Sequence, residues 1–252
     1  SPHAYINAKS AKILNIKSSQ IMHINQPAHP LPHPVVSDYF IADSLKYRDL
    51  FRENWKVADE KILYLGSFHH CGYIKKRNFN FNSFGNRPIK ICLFSQVDDQ
   101  EIVNKVIKLI LNIRSTSNLE FFIKPHPREK IKSYINFLDQ KFIFKPNYDF
   151  EKYKDYFDLA ITFPSAITND LFQYNKPFIL LFLGKYIKTS IGKIDSNYPL
   201  CVDNLESLEK LIKNLNLDLL LNKYDFFREN TYFSNETITD PKQILNNLQN
   251  LL

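Results

Sequence analysis

The chain has 252 residues, of which 44% are hydrophobic and 23% charged, with a formal net charge of +7. This is an ordinary globular composition, enough for one large domain or two modest ones, and no apolar run approaches the ~18 residues of a transmembrane helix. The basic excess suits an anionic partner, but the lysines are scattered rather than run together, so a nucleic-acid tract is not expected.

Cys71, Cys92 and Cys201 lie far apart and form no Cys-x-x-Cys pair. Neither a disulfide framework nor a zinc site is expected, and a reducing compartment fits. No signal-peptide pattern opens the sequence. Met22 is the single methionine, so the start at Ser1-Pro2-His3 reads as the interior of a longer protein or as a processed product.

In chain order, residues 5–14 have helical spacing and 17–24 read as a strand. The stretch NQPAHPLPHP at 25–34 is a stiff loop. Residues 38–43 predict a short strand, 45–55 a helix capped by Ser44, and 61–65 another strand. Such alternation is that of half a parallel α/β sheet. Residues 69–87 carry no period and read as a linker or surface excursion, with Phe79, Phe81 and Phe84 available for packing.

From Pro88 the alternation restarts. Strands are predicted at 89–94, 119–123, 141–144, 159–163, 177–183 and 198–202. Helices are predicted at 101–113, 129–138, 150–157, from the 164–170 turn to Tyr174, at 207–215 and through the C-terminus. The helix at 101–113 presents Ile102, Val106, Leu109, Ile110 and Ile113 as one apolar face. The pattern predicts an α/β fold of two Rossmann-like units, the N-terminal one incomplete: residues 1–86 with the linker, and residues 87–252. With five glycines and neither a GxGxxG nor a Walker loop, any nucleotide is bound without those devices.

Three strand-to-helix turns of the second unit carry polar side chains. They hold Ser95, Gln96, Asp98, Asp99 and Gln100; Lys124, Pro125, His126, Pro127 and Arg128; and Ser165, Ala166, Thr168, Asn169 and Asp170. In a parallel sheet the carboxyl-end turns share one edge and can converge. His126 is fixed between two prolines, with a cation on either side, and can hydrogen-bond or protonate a departing phosphate. Ser165 and Thr168 can cap their helix or donate, with its amides, to a phosphate. Asn169 and Asp170 can complement the helix dipole. Asp98 and Asp99 are either exposed helix-start acids or, one of them, the base for an acceptor hydroxyl. His23, His29 and His33 do not match a zinc spacing, and no metal site is expected.

LFSQVDDQ, FFIKPHPRE and FDLAITFPSAITNDLFQYNKPFILL, in this order, resemble bacterial glycosyltransferases of the GT-B kind. The nearest look is to the sialyltransferases that finish lipooligosaccharide and capsule, with a related look to CDP-glycerol teichoic-acid polymerases. That family carries an acidic-acidic-glycine motif, a His-Pro motif and a Ser-Ser/Thr motif. Here the acidic pair Asp98-Asp99 is followed by Gln100, His126-Pro127 is intact, and Ser165 is followed by Ala166. The resemblance covers about residues 89–183. It implies an inverting, metal-independent transfer of a sialic-acid-type sugar (a nonulosonate) from a CMP-linked donor to a cell-surface glycan. By resemblance Asp98 or Asp99 is the base and His126 assists departure of CMP. Gln96, Lys124, His126, Pro127, Arg128, Ser165, Ala166 and Thr168 are the expected donor-binding residues. No cofactor is implied beyond this nucleotide-sugar substrate; the partners are the donor and a glycan acceptor. A cytoplasmic protein at the inner face of the bacterial inner membrane, peripherally attached, and a homodimer are further expectations. The alternatives are a CDP-glycerol or other capsule transferase and, outside enzymes, an inactive glycan-binding or assembly protein of the same fold.

Overall fold

Apolar runs of four to six residues separated by helical stretches can bury both faces of a strand only in a parallel sheet covered by helices. The computed structural model is built this way. It describes residues 2–21, 37–42, 45–53, 55–64, 87–97, 99–115, 117–165, 167–183 and 198–228, with 246 and 249. Two compact units result: Ser1–Ile74 with Ile191–Lys193 and Thr231–Leu252, and Lys75–Ser190 with Ile194–Asn230. The expected boundary at 86, the linker phenylalanines Phe79, Phe81 and Phe84, and His23, His29 and His33 lie outside the described residues.

The first unit contains α1 (Pro2–Ile13), β1 (Ser19–Ile21), β2 (Tyr39–Ala42), α2 (Leu45–Glu53) and β3 (Ile62–Tyr64). The strands pair in parallel in the order β1-β2-β3. Phe40, Phe51, Trp55 and Val57 form its core, the Phe51 ring lying 5.6 Å from Phe40 and 5.0 Å from Trp55. The Asp38 carboxylate accepts the Ser18 N–H at 2.8 Å and the Ser18 hydroxyl at 3.0 Å. Those two bonds hold its carboxyl below the usual range and pin the entry of β2 beside that of β1.

The second unit contains β4 (Ile89–Phe94), α3 (Gln100–Arg114), β5 (Leu119–Lys124), β6 (Leu159–Thr162), α4 (Ile167–Gln173), β7 (Phe178–Leu181), β8 (Cys201–Val202), α5 (Leu205–Lys213) and α6 (Leu217–Phe227). Its sheet is parallel in the order β5-β4-β6-β7-β8. The strand predicted at 141–144 is present as a single parallel bridge, Ile143 to Ile123, outside β5. Counting that bridge, the order is the 3-2-1-4-5-6 of a Rossmann sheet. β6 and β7 are buried along their whole length, and the last four residues of β4 and β5 are buried too. At the amino edge Arg87 grips Asp158 with two bonds of 2.7 Å, and Asp158 also accepts the Lys90 N–H at 2.9 Å.

Three sequence-based expectations are corrected. The buried stripe of α3 is Val103, Val106, Ile107, Ile110 and Ile113, so the helix is turned slightly from the predicted face; Ile102 and Leu109 are only half-buried. Residues 129–138 do not form an α-helix. Their bonds reach back mostly three residues, Ser133 to Lys130, Tyr134 to Ile131 and Phe137 to Tyr134, because Tyr134 and Leu138 are drawn into the core while Ile135 stays exposed. Residues 150–157 likewise form two 3-10 turns, Phe150–Lys152 and Lys154–Tyr156, anchored by the buried rings of Phe150, Tyr153 and Phe157.

α4 is short but firmly seated. Its Phe172 stacks on Tyr224 at 5.6 Å and meets Phe178 edge-on at 4.9 Å. Its end is a Schellman cap: Lys176 N–H reaches Leu171 O at 2.7 Å, Asn175 N–H reaches Phe172 O at 3.1 Å, and Asn175 takes φ 53°.

Candidate functional site

The register decides what meets at the carboxyl edge. Phe94 is opposite both Lys124 and Thr162, so β5, β4 and β6 end level. The chain then leaves β4 toward β5 but returns to the sheet at β6, on the other side of β4. The crevice between β4 and β6 is thus the switch point, where open α/β sheets bind ligands. A cavity of about 610 Å³ opens there. Ser95 and Gln96 line it from the first turn and Lys124 to Pro127 from the second. Ser165, Ile167, Asp170 and Tyr174 line it from the turn and helix after β6, and residues 146–151 close a further side.

The turn after β5 is held by hydrogen bonds on every side. Ser95 extends the β4–β5 ladder by one step, its N–H meeting Lys124 O at 3.1 Å. The Glu129 Oε2 accepts the His126 N–H at 2.7 Å and also the Ser95 hydroxyl proton. The His126 N–H is shared with Ser95 Oγ at 2.9 Å. The other carboxylate oxygen accepts the Tyr134 hydroxyl at 2.8 Å, and Gln100 donates to that same hydroxyl at 3.3 Å. Burial is the main reason that the Tyr134 phenol is pushed up to about 12, which keeps it a donor. On the imidazole, Nδ1 accepts the Arg128 N–H at 3.2 Å, so the neutral ring carries its proton on Nε2.

Lys124 is buried beneath this turn. Its Nζ donates to Pro146 O at 2.7 Å and Pro125 O at 3.1 Å and lies 5.4 Å from the Tyr153 ring centroid. Burial lowers its pKa, partly opposed by the negative charge of Glu129. One cation therefore ties the turn after β5 to the loop at 146–149. Cys92, in the middle of β4, is a buried free thiol whose pKa burial raises, so it stays protonated and unreactive.

The turn after β6 is different in kind. Ser165 lines the cavity. Thr168 does not: it is fully buried, and its hydroxyl donates to Ser165 O at 2.8 Å. α4 has seven residues, so its dipole is short and the polar side chains dominate. Asp170 faces the cavity beside Tyr174, and burial pushes its carboxyl up to about 6. Tyr174 stacks on Phe150 at 5.0 Å. This side of the cavity is aromatic.

Of the residues singled out in the sequence, Gln96, Lys124, His126, Pro127 and Ser165 share the cavity. Arg128 is exposed and reaches the site through its backbone bond to His126. Asp99 is the N-cap of α3, its carboxylate accepting the Ile102 N–H at 3.3 Å, and it is not among the cavity walls. Asp98 and Ala166 lie outside the described residues. Sequence reasoning missed Glu129, which it took for a helix start, and gave Asp170 to the helix dipole. It also missed the wall at 146–151, although PNYDFE follows the predicted strand at 141–144. The rule that selected the other three turns would have selected this one.

Among the described residues no group of three His, Cys, Asp or Glu side chains is placed to hold a metal ion. No helix among them is long and apolar enough to cross a membrane.

No protein-family model matches the chain. No curated protein matches it either. Solved structures do. A histidine-to-asparagine variant of the wall teichoic acid polymerase TagF matches with a TM-score of 0.54 at 14% identity, over 94% of this chain and 68% of that one. A Staphylococcus aureus (S. aureus) MnaA–UDP structure matches at 0.57 and 12% identity, over 97% of this chain and 71% of that one. A mutant of S. aureus TarM, in complex with fondaparinux, alpha-GlcNAc-glycerol and UDP, matches at 0.54 and 13% identity, over 96% of this chain and 53% of that one. At such identities the likeness is one of fold. The fold is GT-B, with parallel sheets of three and five strands in its two units.

Proposed function

We propose that this chain is a transferase whose donor is a cytidine nucleotide and whose leaving group is CMP, acting on a cell-surface glycan at the inner face of the membrane. The observation that carries the reading is the meeting of Lys124, His126 and Ser165 in one cavity at the sheet's switch point. The neutral His126 ring, with Nδ1 engaged by the Arg128 N–H, presents an Nε2 proton donor suited to a phosphate oxygen. Lys124 adds a buried positive charge and Ser165 a hydroxyl. The acceptor oxygen attacks as CMP departs; the His126 Nε2–H stabilises the departing phosphate by a hydrogen bond, and the acceptor proton passes to a base. We assign the base to the Asp98–Asp99 turn. Asp99→Asn tests it, because asparagine caps a helix as well as aspartate. Turnover is expected to fall while the thermal midpoint holds; full activity in Asp98→Asn and Asp99→Asn alike removes the assignment.

Two donors fit this chemistry. With a CMP-linked nonulosonate the anomeric C–O bond breaks with inversion, a reading supported by the order of the acidic, His-Pro and Ser motifs. With CDP-glycerol the P–O bond between the two phosphates breaks, a reading supported by the fold likeness to a wall teichoic acid polymerase. Both release CMP. Purified protein is offered CMP-sialic acid, CDP-glycerol and UDP-linked sugars, and nucleotide release is followed by chromatography. Release of CMP from either cytidine donor, lost in His126→Ala, is the expected result. Consumption of UDP-sugars with no CMP release overturns the proposal.

A further inference from the structure

The Glu129 carboxylate does not line the cavity, yet it binds the turn that does. It gathers three donors from three segments: the His126 N–H, the Ser95 hydroxyl and the Tyr134 hydroxyl. Ser95 leaves β4, His126 leaves β5 and Tyr134 is fully buried behind them. Gln100, at the first position of α3, joins the network through Tyr134. The geometry points to Glu129 as a positioning residue: it fixes the backbone of His126 so that Nδ1 meets the Arg128 N–H and the Nε2 proton is offered to the donor phosphate.

Three features carry this. A carboxylate is the one side-chain type that accepts from several donors at once without offering a proton back. A buried side-chain network that is fully satisfied has a single arrangement, so it specifies the turn as well as stabilising it. The Glu129 N–H also returns to His126 O at 2.8 Å, so residue 129 closes the turn with its backbone and clamps it with its side chain. Pro125 and Pro127 restrict the local dihedrals but cannot donate a hydrogen bond to hold the turn against β4. The Ser95–Glu129 pair does this.

The inference deepens the donor-site reading and rests on it for the identity of the ligand. It is tested first without ligand. In full-length protein with 15N-labelled histidine, the ring nitrogens of His126 report its tautomer. Wild type is expected to show the Nε2–H form. Glu129→Ala, which removes both acceptor oxygens and with them all three hydrogen bonds, is expected to average the two tautomers, and its affinity for CMP is expected to fall about tenfold. Glu129→Gln keeps one oxygen for His126 and Ser95 and turns an amide toward the Tyr134 oxygen, so it is expected to restore most of both signals. A purely structural glutamate would lower the thermal midpoint and leave the tautomer of the folded protein unchanged; that result overturns the inference. If Glu129→Ala does not fold, Tyr134→Phe and Ser95→Ala each remove one partner, and an unaltered His126 signal in both overturns it equally. A shifted tautomer with unaltered CMP affinity upholds the clamp and overturns the donor-site reading instead.

Discussion

The turns after β5 and β6 sit at the same sheet edge and face the same cavity, but they are built in opposite ways. In the first, Ser95, His126, Glu129 and Tyr134 engage one another and the turn is complete before any ligand arrives. In the second, Ser165 and Asp170 face the cavity, and the Asp170 carboxyl makes no hydrogen bond or ion pair with the described residues. Preorganised donors stabilise developing charge without having to move, whereas groups with no internal partner must find one in the ligand. Under the proposed function the first turn is the machinery and the second the recognition surface. That division can be broken or sharpened by substitutions on either side.

The largest effect is expected at His126. His126→Ala removes the Nε2 donor and leaves the Glu129 clamp on the backbone N–H intact. CMP release should drop roughly 10²- to 10³-fold, the range for loss of one preorganised donor to a developing charge. The thermal midpoint should barely move. If turnover persists within about threefold, the first turn is only a structural corner and the comparison fails.

Asp170 should behave in the opposite sense. Its folded pKa of about 6 lies above the ordinary 3.8, because burial disfavours its charge. The folded protein therefore holds more protons than the unfolded chain between about pH 4 and 6, and stability falls as the pH rises through that window. At pH 7 the penalty is complete. Asp170→Asn removes it, so the ligand-free protein should gain of the order of 2 kcal/mol at pH 7, with allowance for residual solvent around the carboxyl. Urea midpoints measured at pH 3.5 and pH 7 check this: the gain should appear only at the higher pH. A loss of stability at pH 7 would mean that Asp170 is engaged internally and that the second turn resembles the first.

How much of this could be read from the sequence follows the same division. The apolar period of β4, β5, β6 and β7 placed the strands to within two residues, because a strand buried on both faces has little freedom in its composition. Lys124, His126 and Ser165 were found by applying the edge rule to turns that follow obvious strands. Glu129 was not found, since glutamate after a proline-bounded turn is what any helix start looks like, and only tertiary contacts reveal that no α-helix follows. Asp99 shows the limit from the other side. Its residue type suits a base and a cap equally, and the described geometry is that of the cap. The wall at 146–151 was hidden because its strand shrank to the single bridge at Ile143. Family resemblance pointed to the same three motifs, and the likeness to solved structures bears on the fold.

Tyr134→Phe should cost about 1 kcal/mol, since it deprives Glu129 Oε1 of one donor and Gln100 of one of its two acceptors. Urea denaturation reads this directly. A neutral result would show that the phenol is peripheral to the clamp.

The smallest stability effect is expected at Ser165, and the same substitution at Ser95 of the other turn sets its scale. Ser95→Ala removes a buried hydroxyl that donates to a carboxylate, and the loss should be of the order of 1.5 kcal/mol, as for hydrogen bonds to charged groups. Ser165→Ala removes a hydroxyl that faces open cavity, while the Ser165 carbonyl still accepts from Thr168. Its stability should stay within about 0.5 kcal/mol of wild type. CMP affinity should nonetheless fall several-fold, because the proposed function makes the phosphate that hydroxyl's partner. Calorimetric titration with CMP, run beside urea denaturation on both alanine variants, separates the two. If Ser165→Ala destabilises the protein as much as Ser95→Ala does and leaves CMP affinity unaltered, the serine after β6 belongs to the scaffold, and the recognition side of the cavity shrinks to Asp170 and the aromatic wall.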